Sequence, residues 1–309
     1  MSSPTLDSFR DEFSQYPAPI IVFNKSHSGS RLLAELLDSA AVFMGSHLNG
    51  SRDSLDILEL VEYLVIRYYP DYSPLWDPGR SPDLELRRLL QRVFDQHLQD
   101  INNRREQLWG WKLCETTYVL PVLDYCFPGA QYIHLIRDGR DVAFCDHKAP
   151  DSAFWRKIYF NTERIRTFSG LRLTSQAYRR QSHVFNALHW VNSVSLGRGF
   201  GAMLRERYCE VRYEDLCRAF NTTAKQLLKA IGIEDSEAAL RTVQPAVYGS
   251  SLGKYKMYPK RWLDRVVRIE KPLLLSLGYL EKDPEPARRF LWRSHLADRF
   301  IDRLKRRAP

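Results

Sequence analysis

The stretch PIIVFNKSHSGSRLLAELLDSA, residues 19 to 40, changes character twice. Ile20 to Phe23 is an apolar run of strand length, and Asn24 to Ser30 is polar and contains Gly29. From Arg31 to Asp38 the leucines at 32, 33, 36 and 37 recur with helical spacing. The order is strand, loop, helix. Such a loop turns successive backbone N–H groups and the positive end of a helix toward one point, which suits a phosphate-like anion.

A later segment carries the complementary half. In QYIHLIRDGRDVAF, residues 131 to 144, an apolar strand ends abruptly in Arg137, Asp138, Arg140 and Asp141. Ligands of parallel α/β sheets bind outside the carboxyl ends of strands, where an arginine fork suits a phosphate. The first loop resembles a P-loop but departs from the triphosphate-binding form G-x-x-x-x-G-K-[ST]. In that frame the chain has Asn24, Gly29, Ser30 and Arg31. Asparagine tolerates the left-handed region, so Asn24 is expected to stand in for the first glycine. Ser30 replaces the phosphate-binding lysine and Arg31 the magnesium-binding hydroxyl, so the loop reads as built for one phosphate without Mg²⁺.

Together the two segments resemble the sulfotransferases that use 3'-phosphoadenosine 5'-phosphosulfate (PAPS) and release 3'-phosphoadenosine 5'-phosphate (PAP). In that family a [KR]-S-G-T-[TS] loop holds the 5'-phosphosulfate, and R-[DN]-x-[RK]-D-V-x-x-S holds the 3'-phosphate. The matching residues here are His27 to Arg31 and Arg137 to Cys145. The resemblance implies an α/β, three-layer P-loop-like fold with a central parallel sheet flanked by helices. It implies donor binding by Lys25, Ser26, His27, Ser28, Gly29, Ser30, Arg31, Arg137 and Cys145, with Arg140 in a supporting position.

Three more segments extend the resemblance from about residue 18 to about residue 280. CEVRYEDLCRAFNTTAKQLLKAIGI, residues 209 to 233, puts Tyr213 beside the adenine. VYGSSLGKYKMYPKRW, residues 247 to 262, is similar to the basic loop that folds over the 3'-phosphate and offers Ser251, Gly253 and Lys254. In WGWKLCETTYVLPVLDYCFPGAQYIHLIRDGRDV, residues 109 to 142, Lys112 matches a lysine near the sulfuryl group, and Cys114 stands where proline is common. Two departures bear on mechanism. His27 takes the place of a lysine or arginine and is charged only part of the time near neutrality, so Lys25 or Arg31 is left to supply a permanent charge. Cys145 replaces a serine and is a weak donor, a loss of about 1 kcal/mol for the 3'-phosphate.

The implied reaction moves a sulfuryl group in line from PAPS to a hydroxyl or amine, with no metal expected. Its base is sought in VFMGSHLNGSRDSLD, residues 42 to 56, where His47 is first choice and Asp53 second, with Glu115 third. Lys112 and His27 complete the catalytic set. A P-loop kinase or related phosphotransferase and a non-catalytic PAP-binding protein remain the alternatives. The acceptor is expected to be a small molecule or a saccharide.

Composition fits an enzyme of this kind. The 309 residues are 44% apolar and 27% charged, enough for one substantial α/β core, and no Gly/Ser/Pro-rich linker divides the proposed site, so one domain is expected over residues 1–309. Helical insertions are expected at about 53–107 and 151–205. A signal-like apolar stretch and a membrane span are both lacking, and five irregularly spaced cysteines read as reduced, so a cytoplasmic location is expected. The formal charge of +9 is largely local, with eight basic residues against Asp298 and Asp302 in residues 288 to 307. That segment reads as a basic amphipathic helix over about 285–307, docked on the core and open to weak contact with an anionic surface. Nucleic-acid binding is not expected.

Overall fold

The computed structural model describes residues 3, 5–77, 79–101, 107–146, 152–160, 175–234, 236–244 and 251–281. The expected helix at 285–307 lies outside them, as does part of each expected insertion. Four strands form one parallel sheet: β1 (Ile20–Asn24), β2 (Gly110–Lys112), β3 (Gln131–Ile136) and β4 (Tyr208–Arg212). Their order is β2-β1-β3-β4. Val22 of β1 is level with Lys112 of β2 and Ile133 of β3, and Ile136 of β3 is level with Arg212 of β4.

The chain leaves β1 toward β2 and later leaves β3 toward β4, so the strand order reverses between β1 and β3. At such a point the connections diverge and a crevice opens beyond the strands' carboxyl ends. The polar loop after Asn24 and the charged turn after Ile136 both open into it.

Alternation along the strands builds two core layers, because successive side chains of a strand point to opposite faces. Ile21 and Phe23 of β1, with Tyr132 and Ile136 of β3, pack into one cluster; Ile20 and Val22, with Ile133 and Leu135, pack into the other. The first cluster is covered by the helices Leu55–Arg67, Leu84–Leu98, Leu120–Cys126, Ser182–Leu204 and Lys260–Ser276. The second is covered by Arg31–Ser39, Phe220–Ala230 and Glu237–Val243. Helices on both faces of a parallel sheet make the three-layer α/β architecture.

The leucine stripe anticipated near residues 30 to 40 becomes the helix Arg31–Ser39, with Leu32, Leu33, Leu36 and Leu37 buried. Between β2 and β3 a 3-10 turn spans Cys114–Tyr118, and the α-helix starts only at Leu120 and runs to Cys126. Pro121 suits that start, since its fixed φ and missing N–H cost nothing in the first turn of a helix. The Leu55–Arg67 helix is capped by Ser54, whose hydroxyl accepts from the Ile57 N–H at 3.4 Å. That cap seats the loop carrying His47 and Asp53 against β2.

Candidate active site

The loop after β1 winds around one carbonyl. The Asn24 amide donates to the Lys25 oxygen at 2.6 Å, and the Ser28 hydroxyl donates to the same oxygen at 2.6 Å. The left-handed backbone that makes the turn falls at His27 (φ 67°) and Gly29 (φ 85°). Asn24 is therefore not the stand-in glycine: it stays in the strand, level with Leu135, because its buried side chain is needed to close the loop. At Gly29 an added Cβ would lie 2.3 Å from Cε2 of Tyr213, so the ring lies directly against the loop. Only glycine permits that approach.

Lys25 is buried, and its ammonium donates to the Ser26 hydroxyl at 2.7 Å. Desolvation is the main cause that pushes its pKa down to about 8, opposed by the nearby Cys114, Glu115 and Cys145. The His27 imidazole is also lowered, first by burial and then by the charges of Lys25 and Arg137. Arg31 does not serve the loop with its charge. Its guanidinium turns back along the helix to Glu35 at 2.7 Å with 64% of the side chain exposed, the partner one turn away being closer than the loop.

Arg137, at the end of β3, ties three segments together. Nη1 donates to the His27 carbonyl at 3.1 Å and Nη2 to the Ser251 carbonyl at 2.5 Å, while the guanidinium carbon stands 5.1 Å above the Tyr213 ring. The buried Nε has no hydrogen-bond partner among the described residues. Asp141, 3.5 Å from Nη2, accepts from the backbone N–H of Gly253 at 2.9 Å and of Tyr255 at 3.0 Å. One carboxylate thus aligns both the arginine and the basic loop.

Arg140 faces elsewhere: it pairs with Asp138 at 2.6 Å, donates to the Tyr279 carbonyl at 3.0 Å and lies 4.4 Å above the Tyr255 ring. The Cys145 thiol donates to the Asp141 carbonyl at 3.3 Å, a contact inside its own turn.

The end of β2 brings the remaining groups beside β1. Lys112 pairs with Asp53 at 2.6 Å, and the Cys114 thiol reaches the Asn24 side-chain oxygen at 3.4 Å. The Ser54 N–H donates to the Lys112 carbonyl at 3.0 Å and the Leu55 N–H to the His47 carbonyl at 3.0 Å, so the His47 loop is stitched to this strand end. His47 Nδ1 lies 2.9 Å from the buried carboxylate of Asp56, with 58% of the imidazole side chain exposed. If Nδ1 carries the proton toward that carboxylate, Nε2 keeps its lone pair facing outward. Glu115 is buried, and its carboxyl is pushed up to about 7 by desolvation first and by the charge of Asp53 second. Lys25 and Lys112 oppose that rise.

The structure thus gathers Lys25, His27, Gly29, Arg137, Tyr213 and Ser251 on one side, and Asp53, Lys112, Cys114 and Asn24 at the adjoining strand end. Asp56 and Glu214 are functional-site residues that sequence reasoning misses. Glu214 accepts from the Asp138 N–H at 2.9 Å and from the Tyr279 hydroxyl at 2.7 Å, bracing the turn that carries Arg137. Its signal was present, since Arg212 to Asp215 repeats the apolar-to-charged ending of β3. Tyr178, in the second helical insertion, is buried and donates to Asn186 at 3.0 Å, a core role. Among the described residues no group of three or more His, Cys, Asp or Glu is arranged to hold a metal ion.

The polar loop between β1 and the helix Arg31–Ser39, on a parallel sheet with helices on both faces, gives the protein the P-loop-like form of the three-layer α/β fold. Residues 19–237 match the profile described as the Sulfotransferase family, and the chain belongs to that family. No curated protein matches it.

Among solved structures, the sulfotransferase domain from the curacin biosynthetic pathway is 15% identical, with 95% of this chain and 100% of that one covered and a TM-score of 0.44. A mouse sulfotransferase complexed with PAP is 11% identical, covering 100% and 95%, with a TM-score of 0.45. A sulfotransferase from Mycobacterium avium is 13% identical, covering 89% and 82%, with a TM-score of 0.45. No described helix is long and apolar enough to cross a membrane.

Proposed function

We propose that the protein transfers a sulfuryl group from PAPS to a hydroxyl or amine of a small-molecule or saccharide acceptor, without a metal. The observation that carries this reading is the junction of the two anion elements: Arg137 reaches the His27 loop at 3.1 Å while its Nε is buried without a partner among the described residues. A buried unpaired guanidinium N–H is costly and calls for an anion. Lys25, whose charge is costly to keep in its buried position, calls for the same. The Gly29 and Tyr213 contact supplies an aromatic floor for a base, and Ser251, Gly253 and Lys254 form the rim.

In this reading Lys25, Ser26, His27, Ser28, Gly29 and Ser30 hold the 5' end of the donor, the backbone N–H groups and helix Arg31–Ser39 adding their partial positive charge. Arg137 holds the 3'-phosphate, and Tyr213 the adenine. Cys145 adds little, because its thiol is turned to the Asp141 carbonyl. PAPS brings the activated sulfuryl group and nothing else is asked of it. Lys112 steadies charge that develops on the bridging oxygen, and its ion pair with Asp53 keeps it in place.

His47 takes the acceptor proton at Nε2, and Asp56 orients the ring and stabilises the resulting imidazolium, the logic of a histidine braced by a buried carboxylate. Asp53 is engaged by Lys112, and Glu115 is the alternative base. Calorimetry with PAP, then PAP release over a panel of acceptors, tests the proposal. Failure of PAP to bind in the micromolar range or tighter defeats it, and PAP binding without release over any acceptor favours the non-catalytic alternative.

A further inference from the structure

Past the rim of the cleft, the loop at Gly253 continues through Met257 into the Lys260–Ser276 helix, and its outer side has an unusual composition. Residues 254 to 268 hold six basic side chains, Lys254, Lys256, Lys260, Arg261, Arg265 and Arg268, against one acidic, Asp264. All six are exposed. Asp264 is taken by Lys260 at 3.2 Å. Five large apolar side chains are exposed among the described residues, and two of them, Met257 at 78% and Trp262 at 37%, stand in this basic strip.

The strip is also stiffly mounted. The Tyr258 ring stacks on Phe144 at 4.1 Å and its hydroxyl donates to the Phe144 carbonyl at 3.2 Å. Phe144 stacks on His183 at 5.8 Å, and His183 on Trp262 at 5.2 Å. A merely solvated basic face accounts for the cations but leaves a bare methionine and a tryptophan among them unexplained. RNA accounts for cations and a stacking indole, not for an exposed thioether. Cations around apolar tips fit a partner that is anionic at its surface and apolar just beneath.

We propose that the strip from Lys256 to Arg268 is a docking surface for an anionic lipid bilayer. Met257 and Trp262 seat among the headgroups, and the lysines and arginines lie against the lipid phosphates. Docking sets the rim of the cleft beside the bilayer, because Asp141 ties this loop to Arg137. The proposal does not depend on which donor or acceptor the cleft takes.

Flotation of the full-length chain with vesicles of phosphatidylcholine alone, and of phosphatidylcholine with phosphatidylserine, tests it. Binding is expected to the anionic vesicles only, and to fall with added NaCl. A basic residue near such a surface is worth about 1 kcal/mol, about fivefold, so the double variant Lys256→Glu/Arg261→Glu is expected to lower partitioning at least ~25-fold. Met257→Asp is expected to lower it several-fold. Both variants alter exposed side chains, and unchanged melting temperatures will show that they are folded. Partitioning of both variants at the wild-type level overturns the proposal and moves the contact to the basic residues 288–307. Equal binding to neutral vesicles, no binding to either kind, or binding to single-stranded RNA in place of vesicles also overturns it.

Discussion

Lys25 is the residue at which stability and function should pull apart. Its ammonium is buried in the loop, and its pKa falls from 10.5 to about 8, mainly through desolvation. A lysine whose folded pKa is depressed costs stability below the folded value, and that cost fades as pH climbs from about 8 to about 10.5, where the unfolded chain binds more protons than the native one. At neutral pH the native protein therefore holds the charge at a cost of about 3 kcal/mol.

Lys25→Met keeps the length of the side chain and removes the charge. The unliganded variant is expected to be more stable at pH 7 by up to about 3 kcal/mol, several degrees in Tm for a chain of this size, with the gain shrinking toward pH 10. The same change removes a charged hydrogen bond to the donor, worth about 1.5–3 kcal/mol, so PAP should bind ~10–100-fold more weakly. Thermal melts of wild type and variant across pH, with and without PAP, read both effects. A variant that melts no higher than wild type at pH 7, and that PAP still stabilises to the same extent, refutes the reasoning.

The other groups make separate expectations. Arg137→Met should lower PAP affinity by one to two orders of magnitude, consistent with about 1.5–3 kcal/mol for a charge-assisted contact, and calorimetry that finds less than threefold would remove Arg137 from the 3'-phosphate. His47→Ala should lower turnover ~10²–10⁴-fold while leaving PAP affinity unchanged; turnover near wild type would pass the base role to Glu115. Glu115 has its folded pKa raised from 4.5 to about 7, so its ionisation costs stability progressively as pH rises through that window. Glu115→Gln should flatten the decline, and denaturant titrations at pH 5 and 8 with unchanged differences would contradict the burial argument. Gly29→Ala places a methyl carbon 2.3 Å from the Tyr213 ring on a backbone at φ 85°, and should weaken donor binding more than any other single methyl in the loop; an affinity equal to wild type would show that Tyr213 can move away freely.

Much of this protein was legible before any coordinates. The strand, loop and helix of residues 19 to 40 and the strand ending at Arg137 have boundaries set by composition alone: apolar runs cannot continue into water, and charges cannot continue into the core. The three-layer parallel sheet followed from the resemblance those segments carry. The motif resemblance named most of the residues that the structure gathers, because phosphate-type loops are short in sequence and their contacts are local.

What the sequence could not decide was where each charged side chain turns. Arg31 and Arg137 look alike on paper, yet one finds Glu35 a helical turn away and faces solvent, while the other is buried and bridges His27, Ser251 and Asp141 across the sheet. Asn24 seemed to be a glycine substitute and is instead the buried clasp of the loop, the left-handed turn falling on His27 and Gly29. The depressed Lys25 and the raised Glu115 depend on burial and on neighbours distant in the chain, and the bracing of His47 by Asp56 depends on how the loop between them folds. Local propensity and patterning fixed the elements and their order. Only tertiary packing, which sets desolvation and brings β1, β2 and β3 to one edge, decided which of their charges face each other.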